Sequence, residues 1–137
     1  MPQLHPNSRS VVALGADGLA LRAQVAGAGP HRVLMAPGLG TPAVVWQPWV
    51  DRLHGIAEVA TWDMRGCYQS GIPAPDRRTV DDHAEDARAV LTALGWAGRP
   101  VVLGGWSLGV QIALETYRRI APDVAALVLL CGTFERP

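Results

Sequence analysis

The chain has 137 residues, 49% of them hydrophobic, enough for one domain with a buried core and too few for two. Twelve basic and twelve acidic residues give no formal net charge, and the basic ones form no stripe, so nucleic acid is not an expected partner. Cys67 and Cys131 are too isolated for a disulfide framework or a metal site, and there is no signal-peptide core and no apolar run of membrane-spanning length, so a soluble cytoplasmic chain without metal or membrane contact is expected.

In chain order, residues 10–14 and 19–25 flank the turn pair Asp17-Gly18, and Leu19, Leu21, Ala23 and Val25 alternate with polar or small neighbours. An antiparallel hairpin is expected to open the chain. G-A-G-P at 27–30 breaks the pattern, and residues 32–36, R-V-L-M-A, predict a short buried strand ending at Pro37-Gly38-Leu39-Gly40. Over residues 44–53, Val45, Trp46, Trp49, Val50 and Leu53 keep helical spacing, with Gly55 as the stop. Residues 56–62 predict the next strand, running into D-M-R-G-C-Y-Q-S-G and a proline-rich loop, which Asp63 and Arg65 are expected to pin as an ion pair. Thr79 is placed to cap a helix in which Val80, Ala84, Ala87, Leu91 and Leu94 form one apolar face and Asp81, Asp82, Glu85 and Asp86 sit early, where the helix dipole favours acids. His83 on that helix is expected to be half-exposed.

Residues 101–104 predict a strand that stops at glycines, and residues 110–120 a helix, with Ser107 between them. A serine on so tight a strand-to-helix turn needs neighbours almost without side chains two positions either way, which Gly105 and Gly109 supply. The helix that begins there also offers free backbone N–H groups, notably that of Leu108, to an oxyanion formed beside Ser107. Residues 124–130, V-A-A-L-V-L-L, predict one more strand with no polar face. The pattern implies an α/β fold: a mostly parallel sheet with helices on both faces, preceded by the antiparallel hairpin.

With P-G-L-G and the following Trp46, D-M-R-G-C-Y-Q-S at 63–70 and G-W-S-L-G at 105–109 in this order, the whole chain resembles the N-terminal half of the α/β-hydrolase family. Where the family usually has H-G-x-G and D-x-R-G-x-G-x-S, this chain has Pro37 and Tyr68 in place of the histidine and the second glycine. The resemblance implies Ser107 as nucleophile and the backbone N–H groups of Leu39 and Leu108 as the oxyanion hole. It also implies hydrolysis of a carboxylic ester, thioester or lactone through an acyl-enzyme, with no cofactor. Trp106 is expected to line the substrate pocket, whereas Trp46 and Trp62 are expected in the core.

In such an enzyme an Asp or Glu and then a His follow the serine. No histidine follows Ser107; the four present are His5, His31, His54 and His83. Glu135 is the one acid suggested after the last strand. Residues 1–137 are therefore expected to be a single, cut-short domain of this fold. The missing acid and base then come from a complementing C-terminal segment, and without it the 124–130 strand associates with itself. Two other readings stand beside this one: a non-catalytic remnant serving as an interaction module, and a dinucleotide-binding domain in which G-L-G-T-P-A at 38–43 cradles a pyrophosphate and Asp63 holds a ribose.

Overall fold

Period-two alternation decides which side of the sheet each residue serves. On the third strand, Val33 and Met35 pack with one apolar cluster while Leu34 and Ala36 pack with another. The computed structural model describes residues 3–134. Within them the chain runs β1 (Arg9–Leu14), β2 (Ala20–Ala28), β3 (His31–Ala36), α1 (Gln47–Arg52), β4 (Ala57–Trp62), α2 (Val80–Ala93), β5 (Val101–Trp106), α3 (Leu108–Ile120) and β6 (Val124–Leu130). The strands form one sheet in the order β1-β2-β4-β3-β5-β6. The β1–β2 and β2–β4 pairs are antiparallel, and β4–β3, β3–β5 and β5–β6 are parallel.

Helices cover both faces, as the sequence predicts. Ala87, Val90 and Leu91 of α2 and Ile112 and Ala113 of α3 join Leu21, Leu34, Trp62 and Leu103 in the larger cluster. Trp46 and Val50 join Ala26, Val33, Met35 and Val59 in the smaller one on the other face. Trp46 and Trp62 are both core residues.

Most boundaries move by one or two residues, β5 among them, which runs on through Gly104 and Gly105 to Trp106 in register with β6, and two elements differ more. β2 runs on to Ala28 because Ala26 and Ala28 find partners in Val59 and Ala57 on β4, so the glycine-rich stretch continues the ladder before it turns. The helix expected over residues 44–53 is instead one turn of 3-10 helix, Ala43–Trp46, followed by the short α1. Pro48 has no N–H to give to Val44, and it starts a helix more easily than it sits inside one. α2 is as predicted at its start: Thr79 accepts a hydrogen bond from the Asp82 N–H, and the Asp82 carboxylate accepts one from the Thr79 N–H, a complete capping box.

Candidate active site

The Ser107 turn is set by how closely three pieces of backbone approach one another. A side chain on Gly105 would lie 2.1 Å from the Gly109 carbonyl oxygen, and one on Gly109 would lie 2.3 Å from the Ala36 carbonyl oxygen. Only glycines let α3 begin against the ends of β5 and β3. The turn also places Ser107 at φ 56 and ψ −121, a conformation that an L residue holds only when its surroundings force it. The Ser107 N–H donates to the Leu130 carbonyl at 3.0 Å, which ties the turn to the end of β6. Leu108 is the first residue of α3, so its N–H has no acceptor within the helix.

Across from this turn, residues 38–41 form a turn of their own, closed by the Thr41 N–H donating to the Gly38 carbonyl at 3.1 Å. The Leu39 N–H donates to nothing among the described residues, and the Leu39 side chain is 78% exposed. The Trp106 ring lies against Gly38, where a Cβ would come within 2.8 Å of it, and the tryptophan remains 42% exposed. The structure thus brings Ser107, Trp106 and the Leu39 turn together at the C-terminal ends of β3 and β5. Open sheets of this kind offer ligand sites at those strand ends. A cavity of about 390 Å³ lies at the other end of the sheet, bordered by Trp96, Val101 and Asp123, and shares no residue with this arrangement. Glu135 lies outside the described residues.

The loop after β4 corrects two expectations. Arg65 does not pair with Asp63: its guanidinium donates to both Asp86 oxygens at 2.7 and 2.6 Å and to Asp17 at 2.9 Å. Asp63 instead accepts from the Gln69 N–H at 3.2 Å and faces Arg22 at 3.9 Å. The chain turns at once after β4, with the Cys67 N–H bonded to the Met64 carbonyl, so the strand-like spacing of Asp63 and Arg65 does not bring them together. Burial pushes the Asp63 carboxyl above its ordinary value, against the Gln69 N–H and Arg22, which lower it. A carboxylate so enclosed is not open to a ribose, which removes the residue on which the dinucleotide reading depended.

His83 is buried, not half-exposed. Arg65 reaches Asp86 and Arg77 reaches Asp82 at 3.1 Å on the same early turns of α2. Helical spacing carries the signal: His83 lies four residues before Ala87 and seven before Val90, both in the larger apolar cluster. Burial lowers the His83 pKa; Asp86 and Asp82 oppose that shift and Arg65 adds to it. The folded state therefore binds this proton more weakly than the unfolded chain. The stability tied to His83 is complete above its unfolded value of about 6.5 and declines as pH falls below it. Asp17 and Asp82 are held below their ordinary value and lose their charge only in more acidic solution. Urea midpoints are thus expected to fall between pH 7.5 and 5, and His83→Gln to flatten that slope; an equally steep slope in the variant would assign it to other groups.

Among the described residues, no group of three or more His, Cys, Asp or Glu side chains is placed to hold a metal ion, and no helix is long and apolar enough to cross a membrane. Sequence reasoning gave no role to Tyr68, whose hydroxyl donates to the Gly40 carbonyl at 2.7 Å. Its only signal was a tyrosine at the place where the resembled family has glycine.

A mostly parallel, helix-covered sheet with a forced serine turn at its C-terminal edge defines an α/β protein of the hydrolase architecture. A family model described as alpha/beta hydrolase fold matches residues 31–137, and the chain belongs to that family. It is 34% identical over 112 residues to a Caulobacter vibrioides protein named as a carbamate hydrolase, RutD, covering 80% of this chain and 40% of that protein. It is 37% identical over 111 residues to the pimeloyl-[acyl-carrier protein] methyl ester esterase of Methylococcus capsulatus, again covering 80% of this chain and 40% of the relative. A thermophilic esterase from Thermogutta terrifontis superposes with a TM-score of 0.80 at 23% identity over 96% of this chain and 47% of that one, a likeness of fold. The chain spans about 40% of the length of the curated relatives it matches.

Proposed function

We propose that the chain carries the nucleophile and oxyanion hole of a serine hydrolase that cleaves a carboxylic ester, thioester or lactone through an acyl-enzyme on Ser107. The observation that carries this reading is the forced φ of 56 at Ser107, held by glycine-only contacts at a strand-to-helix turn. Strain of this kind persists where the surrounding structure fixes it and is concentrated at working sites. The Leu39 and Leu108 N–H groups supply the oxyanion hole, and Trp106 lines the acyl side of the site. Supporting the substrate class, the two curated relatives are named for a carbamate and a methyl ester, both carbonyl carbons bearing a heteroatom leaving group. The acid and the imidazole base are supplied from outside residues 1–137, which form part of one α/β-hydrolase domain. Fluorophosphonate labelling of wild type against Ser107→Ala tests the assignment.

We further propose that the outer edge of β6 takes another strand, from a complementing segment or from a second copy. β6 pairs with β5 alone among the described residues, and its sequence, VAALVLL, has no charge, proline or polar residue to protect an open ladder. Leu129 is 43% exposed. The 137-residue chain purified alone is expected to sediment as oligomers or aggregates, and addition of a C-terminal segment to restore a monomeric domain. A monomer that melts cooperatively without any addition would refute this.

A further inference from the structure

The turn that offers the Leu39 N–H is held from a second direction by a side chain at a position where the 63–70 motif departs from the resembled family. Residues 38–41 form a turn whose third position, Gly40, has φ 67, the arrangement of a type II turn. The peptide between Gly40 and Thr41 is gripped at both ends. Its N–H donates to Gly38 within the turn, and its carbonyl accepts from the Tyr68 hydroxyl, which crosses over from the loop after β4. Tyr68 has φ 47, where a bulky side chain is strained. It is also 50% exposed, so its ring adds little to the core. Strain without burial leaves the hydroxyl contact as the feature that this residue provides.

We propose that Tyr68 is a positioning residue: by anchoring the Gly40 carbonyl it fixes the 38–41 turn, and with it the Leu39 N–H, before any oxyanion forms. This rests on the reading of Leu39 as an oxyanion donor to the Ser107 site. A donor contributes to catalysis to the extent that it needs no reorientation at the moment of reaction, and a turn held only by its internal bond can rotate its peptides. Tyr68→Phe keeps the ring and removes the anchor. Tyr68→Gly also relieves the strained φ, so it separates anchoring from stability.

The test uses the protein complemented with the C-terminal segment and the reaction of its Ser107 with a fluorophosphonate, whose rate depends on the oxyanion hole. In Tyr68→Phe, the maximal labelling rate is expected to fall about three- to tenfold, as for loss of one ordinary hydrogen bond, with the half-saturating probe concentration unchanged. Thr41 amide hydrogen exchange should accelerate by a similar factor. Tyr68→Gly should show the same loss of rate with an unchanged or higher melting temperature, which a merely structural role would not give. Unchanged exchange and labelling in Tyr68→Phe would overturn the proposal while leaving Ser107 as nucleophile. Labelling that survives Ser107→Ala would overturn the nucleophile reading itself, and with it the positioning role.

Discussion

Ser107→Ala is expected to abolish fluorophosphonate labelling of this protein, a loss of about 10⁴-fold or more once acid and base are supplied. The reagent bonds to the oxygen that attacks it, and alanine has none. The variant should fold as the wild type does, because alanine keeps the same Cβ at the strained turn and the glycine contacts around it are untouched. Wild-type labelling should itself depend on an outside imidazole. A serine hydroxyl at neutral pH stays protonated, and no histidine follows Ser107 in the sequence. The chain alone should therefore react several orders of magnitude more slowly than the complemented protein. Fast labelling of the unassisted chain, or labelling of Ser107→Ala at the wild-type rate, would contradict the mechanism at different points: the first the source of the base, the second the nucleophile.

Leu39→Pro is expected to lower turnover of the complemented protein by about 10² to 10³, and Leu39→Ala to change it little. Only the backbone N–H of Leu39 is asked to act, and proline is the one residue that deletes it. The substitution is mild for the fold, since Leu39 is the second residue of a type II turn, where proline is favoured, and its side chain is 78% exposed. The pair thus separates loss of a donor from loss of a side chain. Equal turnover in the two folded variants would show that the oxyanion is held elsewhere.

What could be read along the chain follows the range of the interactions involved. The turn at Ser107 was legible because its signal is local: a buried strand, a serine between two glycines and a helix within a dozen residues. α2 was legible for the same reason, since Thr79 and Asp82 cap it three residues apart. The short α1 could have been foreseen from Pro48, a local signal that the apolar spacing around it obscured.

Partner choice was not legible. Arg65 bonds to Asp17 and Asp86, 48 and 21 residues away, and Tyr68 to Gly40, 28 residues away. Asp63, two positions before Arg65, was the nearer candidate and the wrong one, because backbone direction after β4 decides where each side chain can reach. Hydrophobic period and glycine placement are properties of short segments, and they were sufficient for the element types, the two covered faces and the position of the serine. Hydrogen-bond and ion-pair partners are chosen by distances between segments that the sheet order β1-β2-β4-β3-β5-β6 brings together, and those distances exist only in the folded chain.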